Sequence, residues 1–196
     1  PAGISAEERA DLIMRAVVCD AARKFEPIYG ATNGAQGYAC AQVNPSRAGD
    51  RASMLAMARL HHGWAPNIAV KLPVTAAGLD VLEECVAVGI TCTATISFTV
   101  PQVIAIAERH RRGAERARRA GVKPGRCFSV IMIGRLDDYL REVALDNRAA
   151  VSEADIQLSG LAVTKRAYAI YKERGYEAVL LVAALRGNHH MTELAG

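Results

Sequence analysis

Residues 68–79 read Ile68-Ala69-Val70-Lys71-Leu72-Pro73-Val74-Thr75-Ala76-Ala77-Gly78-Leu79. The opening is a short apolar run interrupted by one lysine, which reads as a buried strand closed by its proline. Thr75 then suits a helix start, and Leu79, Leu82 and Val86 fall on one helical face. Strand, tight turn and helix make half of a βαβ unit, and the pattern recurs along the chain. Further β-rich runs lie at Tyr38 to Val43, Ile90 to Phe98, Cys127 to Ile133 and Ala178 to Leu185. Helices are predicted over Asp50 to Trp64, Thr75 to Val88 and Val100 to Ala120, with two more between Gly134 and Tyr176, the second starting at Ser152. The first helix is predicted from Ser5, where Glu8 completes a capping box, to about Phe25, with a loop over Tyr29 to Gly37.

Each strand is followed by a crossover-sized segment, so the sheet is expected to be parallel and apolar on both faces. The fold class is α/β. An alternating β–α chain leaves two main architectures, the open doubly wound sheet and the (β/α)8 barrel. Neither G-x-G-x-x-G nor G-x-x-x-x-G-K-[ST] occurs.

Composition narrows the setting. The 196 residues are 51% hydrophobic with a net charge of +4, a balance of packed globular proteins rather than disordered or strongly nucleic-acid-seeking ones. The longest apolar run, Ala178 to Leu185, falls far short of the roughly 20 residues of a membrane span, and no secretory signal is evident. A cytoplasmic protein without membrane contact is expected. The five cysteines, Cys19, Cys40, Cys85, Cys92 and Cys127, form no C-x-x-C pair, and are read as buried reduced thiols. The histidines, His61-His62, His110 and His189-His190, are expected at the surface or in loops rather than on a metal, because adjacent residues point apart. Residues 109–126 hold eight basic residues but no aromatic for base stacking, so a solvated helix face is favoured over a nucleic-acid site.

In barrels of this kind, chemistry lies at the C-terminal strand ends, which selects Gln42, Lys71, Thr93, Thr95, Ser129, Arg135 and Arg186. Lys71, in its apolar run, either snorkels its ammonium to the rim or is desolvated enough to supply the neutral amine of Schiff-base chemistry. Arg135 and Arg186 suit a phosphate, or else ion pairs with carboxylates such as Asp137 or Asp138.

Four segments in order resemble the transaldolase family. Val70-Lys71-Leu72-Pro73-Val74-Thr75 with Gly78-Leu79 resembles its lysine strand, usually V-K-[IL]-P-[AV]-T-x-x-G-L. Gly89-Ile90 through Thr93, Thr95 and Phe98 is similar to G-I-x-T-N-x-T-L-x-F-S. Phe128-Ser129 through Gly134-Arg135 resembles S-P-F-V-G-R, and Ala183-Ala184-Leu185-Arg186 resembles A-S-F-R. The resemblance covers roughly Gly37 to Gly196 and, with fewer matching residues, the first helix. It implies a (β/α)8 TIM-barrel fold and a Schiff base between Lys71 and a ketose phosphate. Cleavage then leaves a dihydroxyacetone unit on the lysine, for transfer to an aldose or release by water, without metal or organic cofactor. Catalytic residues would be Lys71, Gln42 and Thr95, and substrate contacts Thr93, Ser129, Arg135 and Arg186.

Where most transaldolases carry a glutamate, this chain has Gln42, as the fructose-6-phosphate aldolase branch does. The asparagine of the next strand is replaced by Thr93, and the serine before Phe-Arg by Ala184. The family's first-strand aspartate and its T-N-P motif have no counterpart before Tyr38. Residues 1–196 are therefore expected to form one partial barrel domain with about five of eight β/α units, lacking the first two strands and the last. Open sheet edges would favour association with itself or with the missing strands. The resemblance points to an enzyme of the pentose phosphate pathway. A sugar-phosphate-binding protein that has lost turnover is the alternative that Gln42 motivates.

Overall fold

The computed structural model describes residues 3–195. A five-stranded sheet runs in the order β1 (Ala39–Gln42), β2 (Ile68–Pro73), β3 (Cys92–Thr95), β4 (Cys127–Met132), β5 (Val179–Ala183). Every neighbouring pair is parallel, as the crossover-length connections require. Between the strands lie α2 (Arg51–His62), α3 (Ala76–Ala87), α4 (Val100–Arg119), and the pair α5 (Ile133–Asp146) and α6 (Glu153–Glu173). α1 (Ala6–Ala31) precedes the sheet and the short α7 (Asn188–Thr192) follows it.

The helix starts obey local chemistry. Ser5 and Glu8 close a capping box on α1, Asp50 accepts from Ser53 N–H on α2, and Thr75 accepts from Gly78 N–H on α3. Ser152 and Asp155 do the same for α6. α1 runs past its expected end through Pro27 to Ala31. Pro27 and Arg23 are both exposed, so the helical hydrogen bond that the ring removes is lost on the solvent side, where it costs least. The turn comes only where Asn33 and Gly34 take positive φ, 50° and 74°.

The main core lies between the sheet and its helices. Ala39, Ala41, Ile68, Val70, Leu72, Cys92, Ala94, Cys127 and Ile131 point into it, alternating with residues of the opposite face. That opposite face is not apolar throughout, contrary to expectation: it carries Gln42, Lys71, Thr91, Thr93 and Thr95. α4 packs on α3 through its small residues. A Cβ at Gly113 would lie 2.7 Å from the Glu83 carbonyl, so only glycine permits this approach. The arginines of α4 face outward as expected and are held by carboxylates, Arg109 by Asp80 (2.6 Å), Arg116 by Glu84 (3.0 Å) and Arg118 by Glu177 (2.6 Å).

Burial corrects two other expectations. His61, His110 and His190 are buried rather than superficial, while His62 is exposed. A neutral imidazole tolerates burial when its nitrogens are paired, as in His110 against the Gly125 carbonyl and His190 against Asp137. His61 instead packs on Trp64, with neither nitrogen partnered. Cys85, Cys92 and Cys127 are buried free thiols, burial pushing Cys127 up to about 12, but Cys40 is exposed.

Candidate functional site

Register fixes the inner face of the sheet. Gln42, Lys71, Thr93, Phe128 and Val179 are successive partners across all five strands and form one row. One step towards the strand ends, Pro73 pairs with Thr95, and Val130 pairs with Leu181 on the same face. Side-chain contacts agree, since Cys40 Sγ lies 3.4 Å from Thr93 Oγ1 and the rings of Tyr38 and Phe128 meet edge to face. Polar groups are thus concentrated on β1 to β3, while the inner face of β4 and β5 is apolar.

Lys71 is half-buried as the second member of this row, with no carboxylate paired to it among the described residues. Gln42 beside it donates from Nε2 to the carbonyls of Val43 (3.1 Å) and Lys71 (3.3 Å). Its carbonyl oxygen is left to accept from water or a ligand. Thr93 and Thr95 are nearly enclosed, 4% and 3% exposed, and flank the lysine along β3. These four residues come together as expected.

Ser129 does not. Its partners in register are Ala94 and Leu180, so it lies on the helix side of the sheet. There it is fully buried, 2.9 Å from the phenol of Tyr171, which also hydrogen-bonds the Val103 carbonyl. The reason is parity. S-P-F-V-G-R has three residues between serine and glycine, whereas four separate Ser129 from Gly134. One residue turns a side chain to the other face, so Val130 occupies the inner position and Ser129 points away from the row that carries Lys71. Counting that spacing would have revealed it from the sequence.

Arg135 and Arg186 lie just past β4 and β5, and both guanidinium groups act on the Asp138 carboxylate. Arg186 lies against Gly134, where a Cβ would stand 2.6 Å from its Cγ, and its Nε donates to both oxygens of Asp138 at 3.1 Å. That fork holds the Asp138 carboxyl below the usual carboxylate range. Arg135 is exposed in a groove with Phe98, Gln102, Leu136 and Tyr139. Arg186 is thus ion-paired with Asp138 in this structure. Just past β3 and β5, Ile96 and Ala184 adopt φ of 64° and 59°, left-handed conformations that cost an L residue energy. Strained exits from two strands at the same end are a mark of a functional rim. Among the described residues, no three histidine, cysteine or acidic side chains are grouped to hold a metal ion.

The sequence as a whole matches the family described as transaldolase/fructose-6-phosphate aldolase across residues 2–196. The chain belongs to that family. The match takes in α1, beyond the segments whose motifs are legible by eye. Transaldolase 1 of Streptomyces avermitilis is 30% identical over 87% of this chain and 46% of its own length. The transaldolase of Thermobifida fusca is 31% identical over 87% of this chain and 48% of its own. A probable transaldolase of Dehalococcoides mccartyi is 29% identical over 74% of this chain and 53% of its own. The chain thus spans about half the length of the curated relatives it matches. Its five parallel strands and their helices are part of the family's (β/α)8 barrel architecture. No helix among the described residues is long and apolar enough to cross a membrane.

Proposed function

We propose that Lys71 is the Schiff-base nucleophile of a transaldolase-type enzyme acting on ketose phosphates. The observation that carries this reading is the polar row on the inner face, in which Lys71 stands between Gln42 and Thr93 without a carboxylate to neutralise it. The neutral amine attacks the ketose carbonyl, and loss of water gives an iminium. The C3–C4 bond then breaks: the C4 hydroxyl gives its proton to water, an aldehyde leaves, and the electron pair moves into the iminium as an enamine. The enamine adds to an aldose in transfer, or takes a proton before water hydrolyses the imine in release. Gln42 positions the water through its free carbonyl oxygen but cannot exchange a proton near neutral pH. Thr93 and Thr95 offer hydroxyls to the substrate, and Arg186 with Arg135 offers cations to its phosphate. With this reading go a single barrel domain, a cytoplasmic location, a place in the pentose phosphate pathway and a homo-oligomer.

Borohydride reduction of the protein in the presence of fructose 6-phosphate tests it. The adduct should map to Lys71 and not to Lys24, Lys123, Lys165 or Lys172. Lys71→Met and Lys71→Arg should both abolish it, since neither side chain can form an imine. Trapping at another lysine, or in either variant, overturns the assignment. Phosphate affinity without any trapping would favour a binding protein on this fold.

A further inference from the structure

Arg186 stands three residues beyond β5, in the turn before a helix of only five residues. Something other than regular secondary structure must hold it. Its backbone N–H donates to His190 Nδ1 at 3.1 Å. The opposite nitrogen of that ring, Nε2, lies 3.0 Å from Asp137 Oδ2, and Asp137 Oδ1 accepts from the backbone N–H of Gly160 at 3.0 Å. Both His190 and Asp137 are 1% exposed.

The donors in this chain run one way. Nδ1 faces an N–H and so carries no proton. Nε2 therefore bears the proton and gives it to the carboxylate, which takes a second bond from α6. A neutral imidazole in one tautomer thus ties the main chain of Arg186 to α5 and α6. The neighbouring carboxylate, Asp138, receives the guanidinium of the same residue. Two successive residues of α5 fix Arg186, one through its backbone and the other through its side chain.

We propose that Asp137 and His190 are positioning residues for phosphate capture by Arg186, acting through its backbone N–H. The ligand class is the phosphate monoester of a ketose, and in that respect the inference rests on the function proposed above. An arriving phosphate would draw the guanidinium from Asp138. The His190 link would keep the backbone of Arg186 in place while the side chain changes partner.

Calorimetric titration of the full chain with inorganic phosphate and with fructose 6-phosphate, beside Arg186→Ala, His190→Ala, His190→Asn and Asp137→Asn, provides the test. His190→Ala should weaken both ligands about tenfold while circular dichroism and melting show a folded protein. His190→Asn should recover most of the loss, because its amide oxygen can occupy the place of Nδ1. Asp137→Asn should behave like His190→Ala, since an amide cannot accept from both Gly160 and His190. In borohydride trapping, His190→Ala should raise the half-saturating concentration of fructose 6-phosphate and leave the saturated rate alone. Equal losses for fructose 6-phosphate and unphosphorylated dihydroxyacetone, no rescue by asparagine, or wild-type phosphate affinity in Arg186→Ala overturns the proposal. Absence of trapping in the wild type, with phosphate binding still dependent on Arg186 and His190, would sink the Schiff-base reading and leave this one standing.

Discussion

The side-chain amide of Gln42 crosses from β1 to donate to the main-chain carbonyl of Lys71, 3.3 Å away, and to that of Val43, 3.1 Å away. The amide is therefore a structural clasp as well as a polar neighbour of the lysine. Gln42→Glu would set a carboxylate against two carbonyl oxygens. It should cost about 1–2 kcal/mol at pH 7. The folded-state pKa of the new carboxyl would be raised, so its stability is present at low pH, where the protonated acid can donate, and is lost as pH rises through that value. Melting curves of the variant and wild type at pH 4 and pH 7 would show it. An unchanged difference between the two pH values rules out the clasp.

Ser129 and Tyr171 should matter for stability and not for substrate. Ser129→Ala is expected to cost about 1 kcal/mol in denaturant titration, and Tyr171→Phe about 1–2 kcal/mol, since it removes both buried bonds of the phenol and leaves the Ser129 hydroxyl without its partner. Affinity for fructose 6-phosphate should not move in Ser129→Ala. A large loss there would return Ser129 to the inner face.

Burial pushes the pKa of His61 below its ordinary 6.5, with Asp11 opposing, and desolvation does the same to His110. The unfolded chain therefore binds protons that the folded one refuses. The stability contributed is complete above about pH 6.5 and is lost as pH falls from there through the folded-state values. His61→Phe should flatten this slope between pH 6.5 and 5, leaving the share due to His110. An identical slope in the variant would mean that His61 is protonated in place.

Ala184 sits at φ 59°, where glycine has no steric penalty. Ala184→Gly should raise stability by about 0.5–1 kcal/mol, the left-handed strain relieved less the entropy glycine adds to the unfolded chain. Gly134→Ala should do the reverse and destabilise by about 1–3 kcal/mol, because its Cβ would come within 2.1 Å of the Ala184 carbonyl and displace Arg186. Thermal melts of both variants read the difference directly.

Much of the framework is local and so was legible in the sequence. The caps at Ser5 and Ser152, the five apolar runs and the lysine of β2 depend on near neighbours alone. What was not legible depends on parity or on distance. Ser129 looked like a site residue until the count to Gly134 was respected. Gln42, Lys71, Thr93 and Thr95 were legible one by one as strand-end residues, but that they share one face depends on the register between strands, which no single segment contains. The pairing of His190 with Asp137 joins positions 53 residues apart, and nothing in the composition of either segment announces it. The divergence of His61 and His62 argues against a metal pair but does not say which of the two is buried, and His61 is the one that packs on Trp64.

β3 is the centre of the sheet and is laddered on both sides, as is β2, which carries Lys71. β5, whose exit leads to Arg186, has a neighbour on one side only among the described residues, and its inner side chains Val179 and Leu181 are 39% and 40% exposed. Amide protons should accordingly exchange slowest in β2 and β3 and faster towards β5. Such a pattern would place the candidate nucleophile on a strand laddered on both sides and the candidate anion anchor beyond one laddered on a single side among the described residues. Ordering on binding a sugar phosphate would be felt first at the phosphate end, while the amine that meets the carbonyl hardly moves.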